Sequence, residues 1–417
     1  MHPAGRSTRR RRQGVSLVVA ASLACGGALA LRTRGPAEEP GGVSYLRGLN
    51  AAGADFGTGS RFDSDASFAF YASRGTQLVR LPFRWESVQP SRGAALDPAY
   101  LDQLASAVAS STSRGMTTVL DVHNYHRYDG AVVGGGVVGR GDVADLWTRL
   151  ARAFQHDPLV EFALMNEPHD VPGGTPAVEQ IAQEAVTAIR ATGATNFIRV
   201  SGDEWSSAAS FADRHPTWWV QDPLGRSGPE GHYYLDAGNQ RIGTYPRSIA
   251  VDEAAAREQG FASLADKVQT ELGRFVAYCR DQRVRCLLGE IGWPNDTDAS
   301  QHPDEAAAWN AVGEVAYRVL DEGGLDVAYW AAGEQWGTSY GLSLYTGSPQ
   351  AVPTSSAEVV EAHRSSSPRP ETALSLPAAP PAAPPPGSTT QQPTVQARPG
   401  RRRRRHHAGP AARRWSA

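Results

Sequence analysis

Six short apolar runs of this 417-residue sequence each carry an ionisable or aromatic side chain at or near their C-terminal end. They read Val79-Arg80-Leu81-Pro82, Asp121-Val122-His123-Asn124-Tyr125, Met165-Asn166-Glu167-Pro168, His232-Tyr233-Tyr234, Gly289-Glu290 and Tyr329-Trp330. Two of them deliver glutamates. Paired carboxyl groups in different surroundings can divide their labour, one protonated as a general acid and one ionised as a nucleophile or base. Each of the other groups also has a plainer reading. Asn166 and His123 could cap strand ends, and Trp330 could be core. Glu86 and Asp121 read as structural, the first on a loop and the second inside a strand. Trp218-Trp219 either extends a cleft or packs a long loop. There is no Cys/His cluster, and the glycines at 134–136 lack the strand, helix and lysine of a phosphate loop, so no metal or cofactor is expected.

The elements that must gather these ends follow from periodicity. Candidate strands are Leu46–Asn50, Gln77–Leu81, Thr117–His123, Val160–Asn166, Phe197–Ser201, His232–Leu235, Arg285–Glu290 and Val327–Ala331. Helical stretches lie between them, among them Ala99–Ser113, Asp142–Phe154, Val178–Thr192, Leu264–Arg280 and Asp304–Leu320. Asp97-Pro98 supplies a cap and a proline at the first helical position, and Gly115 follows that helix. Eight strands alternating with helices predict an α/β fold, a TIM (β/α)8 barrel forming a single catalytic domain over 43–354. The C-terminal strand ends of such a barrel converge on one mouth, where active sites sit.

At this point the sequence resembles a known family. Asn166-Glu167-Pro168-His169-Asp170-Val171, His123-Asn124-Tyr125, Ala188-Ile189-Arg190 with Gly193-Ala194-Thr195, and His232-Tyr233-Tyr234-Leu235-Asp236 carry the resemblance. They occur in order within a stretch from about Arg47 to Leu344. Together they resemble glycoside hydrolase family 5, the cellulase family of clan A, and most closely its endo-β-1,4-glucanase subfamily 5. Gly-Glu-Ile-Gly-Trp at 289–293 and Ala-Ala-Gly-Glu-Gln-Trp at 331–336 depart from the commoner wording of that subfamily.

The resemblance implies a retaining endo-β-1,4-glucanase with Glu167 as acid/base and Glu290 as nucleophile. It places Arg80 and the Tyr234 hydroxyl beside Glu290, and Asn166 on the 2-hydroxyl of the sugar in subsite −1. His123 and His232 would fix sugar hydroxyls and orient the glutamates, and Trp330 would face the pyranose ring. Retention needs two carboxyl groups about 5–5.5 Å apart. The fourth and seventh strands lie on opposite sides of a barrel, so their tips can face each other across a sugar. A cation and a hydrogen bond are expected to lower the Glu290 pKa, and a neighbouring anion to raise that of Glu167. Two other readings stay open: the same barrel acting on mannan, xyloglucan or another β-glycan, and a non-catalytic carbohydrate-binding or cell-envelope-attached protein.

Charge separates the body from its ends. Residues 43–363 hold 24 basic and 40 acidic residues, a balance near −16, between two arginine-rich termini. An acidic body argues against nucleic acid as partner and suits a neutral β-linked polysaccharide, with the chain acting as a monomer. Arg9–Arg12, the apolar stretch from Val15 to about Leu31 and the small residues Ala28-Leu29-Ala30 predict a signal peptide or N-terminal anchor over 1–34, hence a secreted protein. After about Thr354 the regular pattern stops. Residues 365–417 read as a disordered Pro-rich and Arg-rich tail, either a bland solvated segment or an electrostatic contact with an anionic cell wall. Export permits a disulfide between Cys279 and Cys286, and the sequence leaves it open.

Overall fold

The computed structural model describes residues 45–57, 59–238, 248–295, 303–338 and 340–364. The segments 1–34 and 365–417 lie outside the described residues. Eight parallel strands close a barrel: β1 (Arg47–Ala51), β2 (Leu78–Phe83), β3 (Thr117–Val122), β4 (Val160–Ala163), β5 (Ile198–Ser201), β6 (Ser227–Tyr234), β7 (Leu287–Gly292) and β8 (Asp326–Ala332). Each strand pairs with its neighbours in sequence, and β8 returns to β1 through Arg47↔Val327 and Leu49↔Tyr329. The helices that follow the strands are α1 (Asp65–Ser73), α2 (Pro98–Thr112), α3 (Arg140–Phe154), α4 (Gly174–Ala191), α5 (Phe211–Arg214), α6 (Leu264–Gln282), α7 (Pro303–Gly323) and α8 (Ser355–Ala362). Short helices at Trp85–Val88 and Ile249–Glu258 and a hairpin of Arg127–Tyr128 with Ala131–Val132 decorate the loops. This is the expected TIM barrel.

Alternation along the strands sorts side chains between two cores. Leu49, Val79, Leu81, Leu120, Phe162, Ile198 and Leu288 point outward into the main core under the helices. Leu78, Val119, Ala163, Leu287 and Ala328 form a separate cluster with Leu46 inside the barrel. Moving along β4 and β8, an ionic position precedes this apolar layer; along β2 and β3, one follows it. The lower ionic layer is closed on itself. Arg199 reaches Glu161 at 2.7 Å and Asp326 at 2.8 Å, and Arg285 meets both at 2.8 Å. The upper ionic layer is described below.

Two expectations need correction. β6 begins at Ser227, five residues before the expected His232, because Ser-Gly-Pro-Glu-Gly offers no apolar signal. Its glycines are there for close packing: a Cβ on Gly228 would lie 2.0 Å from the Arg285 carbonyl oxygen, and one on Gly231 2.8 Å from the Phe275 ring. The ordered chain also passes Thr354 by one helix. In α8, Val359 and Val360 are buried, Glu361 pairs with Arg74 and accepts from the Tyr345 hydroxyl at 2.9 Å, and His363 sits between Asp321 and Glu314. A helix of 8 residues, little more than two turns, is too short to stand out in sequence. The expected cap at α2 is present, with the Asp97 carboxylate accepting from the Tyr100 amide at 2.7 Å. Among the described residues no helix is long and apolar enough to cross a membrane.

Cys279, in the last turn of α6, is bonded to Cys286, the residue before β7. The bridge closes a short loop, with a sequence separation of 7. Loop-closure entropy for so short a loop gives about 2.5 kcal/mol of stabilisation. Replacing both cysteines by serine, or reducing the bridge, is expected to lower the melting temperature by several degrees. Thermal melts with and without reductant check this, and an unchanged midpoint would show that the bridge adds nothing.

Candidate active site

Arg80 is buried at the upper end of β2 and organises everything around it. Its Nε donates to Glu230 Oε1 at 2.7 Å, and Nη2 to Asn166 Oδ1 at 2.8 Å. Nη1 reaches Asn50 Oδ1 at 3.0 Å, Asp121 Oδ2 at 3.0 Å and Glu290 Oε1 at 3.1 Å. A planar guanidinium with five N–H donors can serve partners from several strands at once, which an ammonium cannot.

Glu290, on β7, also accepts a 2.6 Å hydrogen bond on Oε2 from the Tyr234 hydroxyl. His232 Nδ1 stands 3.5 Å from the same oxygen and 2.8 Å from Glu167 Oε1. Contact atoms of Glu167, His232 and Glu290 all fall within 4.8 Å of one another. Glu167 follows β4 in a left-handed conformation, φ 40°. A non-glycine residue there is strained by roughly 1 kcal/mol or more, a cost found where a functional group must be aimed. The adjoining Asn166 and Pro168 fix the turn that aims it.

The electrostatics follow from burial. Burial pushes the Glu290 carboxyl above its ordinary value and the nearby Glu167 adds to this, against the pull of His232, Arg80 and His123. The sequence-based expectation of a lowered Glu290 is therefore corrected: desolvation and a second carboxylate outweigh the cation and the hydroxyl. Burial works against a charged His232, yet Glu290, Glu167 and Glu230 together push its pKa up to about 10. The ring is thus an imidazolium donating to Glu167. Burial also opposes the ionised form of Glu230, but Arg80 and His232 bring it down to about 2.

His123, past the end of β3, holds Asp121 Oδ2 through Nδ1 at 2.7 Å, while Nε2 meets the Tyr125 hydroxyl at 3.2 Å and Asn166 Nδ2 at 3.3 Å. Burial disfavours its charged form, but Asp121 more than offsets this and raises its pKa. Trp330 stacks on His123 with centroids 5.3 Å apart and donates to the Tyr340 hydroxyl at 3.0 Å.

All eight residues singled out in the sequence therefore meet at one mouth: Glu167, Glu290, Arg80, His123, Asn166, His232, Tyr234 and Trp330. Asp121 joins them, although its position inside a strand had read as structural. Glu86 does keep a structural part, accepting from Asn124 Nδ2 at 2.7 Å and the Asp129 amide at 2.5 Å. Trp218 and Trp219 pack away from the mouth. The Trp219 ring stacks on His215 at 4.2 Å, and the Trp218 amide donates to Gln282 at the end of α6.

Sequence reasoning missed Asn50, Tyr125, Glu230 and the outer aromatics. Glu230 had a signal, since it precedes His232 by two residues and so shares its face of β6. The outer aromatics had none. Phe56, on the loop after β1, meets Trp336 edge-on at 4.5 Å, and Trp336 stacks on Tyr340 at 3.8 Å. Across the ring, after β5, Trp205 stacks on His169 at 4.6 Å. Phe56 is 44% exposed and Trp205 42% exposed, so aromatic faces stand open on both sides of the glutamates.

Comparison with known proteins places this site in context. Among curated relatives, the manganese-dependent endoglucanase Eg5A of Phanerodontia chrysosporium is 34% identical over 226 residues, 51% of this chain and 58% of that protein. Endoglucanase 1 of Saitozyma flava is 36% identical over 193 residues, 43% of this chain and 56% of that protein. The alignments thus span a little over half the length of these relatives. Among solved structures, an endo-β-1,4-glucanase from Xanthomonas axonopodis pv. citri is 28% identical, with 76% of this chain and 98% of that one covered and a TM-score of 0.64. Endoglucanase Cel5A of Pseudomonas stutzeri, in complex with cellobiose, is 27% identical, with coverage of 76% and 92% and a TM-score of 0.65. The Glu167–His232–Glu290 group does not fit a resident divalent cation well, because the Arg80 guanidinium already holds one oxygen of Glu290 and the Tyr234 hydroxyl the other. The sequence model for cellulase, glycosyl hydrolase family 5, matches residues 39–335, and the chain belongs to that family.

Proposed function

We propose that the protein is a secreted, retaining endo-β-1,4-glucanase. The observation that carries this reading is the Glu167–Glu290 pair, with carboxylate oxygens within 4.8 Å of each other. An inverting site needs about 6.5–9.5 Å to hold a water between carboxyl groups, whereas double displacement uses about 5–5.5 Å. Glu290 has Arg80 and Tyr234 as donors to stabilise a negative charge, while Glu167 faces the His232 ring, so Glu290 is taken as the nucleophile and Glu167 as the acid/base.

Glu290 then attacks the anomeric carbon as Glu167 protonates the departing glycosidic oxygen. The glycosyl ester neutralises Glu290. Glu167, now anionic beside the His232 imidazolium, takes a proton from water, and that water releases the sugar with net retention. Asn166, oriented by Arg80, is assigned the 2-hydroxyl contact, His123 a neighbouring hydroxyl, and Trp330 the pyranose face.

Open aromatic faces after β1 and β5 support binding of a chain that extends in both directions, hence internal cleavage. A β-1,4-glucan as substrate is supported by the relatives, among them a solved structure of XacCel5A in complex with cellopentaose, 28% identical to this chain. The Cys279–Cys286 bridge supports an oxidising, extracellular setting.

Glu290→Ala is expected to lose on the order of 10⁴-fold or more in kcat with the fold intact. Azide with an activated β-glycoside should restore turnover and yield the α-glycosyl azide; a β-azide would reverse the two roles. Proton NMR of a fresh digest of soluble β-1,4-glucan, run beside mannan, should show the β-anomer first and from the glucan. An initial α-anomer would rule out the nucleophile role, and preference for mannan would rule out the substrate.

Tyr234→Phe removes a donor that favours ionised Glu290, so that carboxyl titrates higher. The acid limb of the kcat/KM profile should rise by about one to two pH units, since hydrogen bonds to charged groups contribute about 1.5–3 kcal/mol. An unmoved limb would mean that Glu290 does not control it.

A further inference from the structure

The reaction just described leaves two buried carboxylates of the upper layer without a part, Asp121 beside His123 and Glu230 beside His232. Glu230 is fully buried on β6, one step inward from His232 on the same face. Its Oε1 receives Arg80 Nε at 2.7 Å and lies 3.4 Å from His232 Nε2. That second distance is long for a directional bond and speaks for charge. The other edge of the ring holds Glu167 at 2.8 Å. Glu230, His232 and Glu167 therefore stand in line, with the imidazole between two carboxylates.

A second observation shows that the barrel is built around this carboxylate. A Cβ on Gly289 would fall 2.2 Å from Glu230 Oε1 and 2.8 Å from its Cγ. The residue next to Glu290 is thus kept without a side chain so that Glu230 can reach across β7. A polar residue held in place by a bare neighbour on the adjoining strand is not filling space.

We propose that Glu230 is a positioning residue for the hydrolytic reaction, anchoring His232 from behind so that its Nδ1 edge serves the acid/base Glu167. The charged and titratable groups around His232 and Glu230 are Arg80 from β2, Asp121 and His123 from β3, Glu167 beyond β4, Arg199 from β5, Tyr234 on β6 and Glu290 from β7. Within this set Glu230 and Glu290 each face both Arg80 and His232, Glu230 on the Nε2 edge of the ring and Glu290 on the Nδ1 edge. Glu230 keeps the imidazolium in place when Glu167 is protonated, and so makes that cation ready when Glu167 becomes the base. A counterion for Arg80 alone would not need the alignment with His232.

The test is Glu230→Gln in the full chain, assayed on soluble cello-oligosaccharide across pH. It rests on the retaining reading, so wild-type hydrolysis is followed alongside. Removing a buried anion eases ionisation of both catalytic glutamates. Both limbs of the pH profile should move to lower pH by about one to two units, the size of shift that a close charge produces on a carboxyl group. kcat should fall roughly tenfold or more, within the range of acid–base contributions, and KM by little. Glu230→Asp should return the limbs toward wild type. A lower kcat with unmoved limbs, or limbs moving upward, would overturn the proposal and leave Glu230 a counterion. Should Glu230→Gln fail to fold, the His232 ring resonance in the wild type decides: an imidazolium persisting through pH 8 supports the proposal, and a midpoint near 6.5 overturns it. Loss of hydrolysis in the wild type itself would overturn both readings.

Discussion

The Arg80 guanidinium, fully withdrawn from water, reaches Asn50 from β1, Asp121 from β3, Asn166 beyond β4, Glu230 from β6 and Glu290 from β7. Most of the mouth is therefore referenced to one cation. Burying it carries a desolvation cost of several kcal/mol that only well-placed anions offset, and the barrel supplies three. The result is a fixed geometry: Glu290 cannot drift without abandoning Arg80, and Asn166 is turned by the same fork. Precise placement of reacting groups lowers a barrier by removing the entropy of finding them. Here strands deliver Arg80, His232 and Glu290, and the segments just past β3 and β4 deliver His123, Asn166 and Glu167.

A good part of this was legible in the residues. Strand ends carrying Arg80, His123, Glu167, His232 and Glu290 are hard to reconcile with turns, and the alternation of apolar runs with helical stretches pointed to the barrel. What escaped did so for physical reasons. The first half of β6 has no hydrophobic signature, because its buried positions are glycines pressed against Arg285 and Phe275. Asn50 and Asp121 looked like ordinary strand residues, since nothing local shows that they point at Arg80 rather than at helices. α8 is too short to declare itself. The ionisation of Glu290 was misjudged because a list of neighbours says nothing of how completely they exclude water.

The two ionic layers of the barrel show why chemistry sits at one end. In the lower layer, Arg199 and Arg285 face Glu161 and Asp326, two charges against two, each carboxylate bonded to both cations. Such a layer has no reason to take up or release a proton near neutrality. In the upper layer four carboxyl groups, Asp121, Glu167, Glu230 and Glu290, face Arg80 and the His232 imidazolium, with His123 drawn toward its charged form by Asp121. The cations fall short of the carboxyl groups. Glu230 is committed to Arg80 and His232, and Asp121 to Arg80 and His123. Glu167 and Glu290 are left as a close pair on either side of the His232 Nδ1 edge. The same kinds of residue make a rigid plug at one end and a close carboxyl pair at the other. What separates them is the ratio of carboxylate to cation, balanced in the lower layer and with carboxyl groups in excess in the upper.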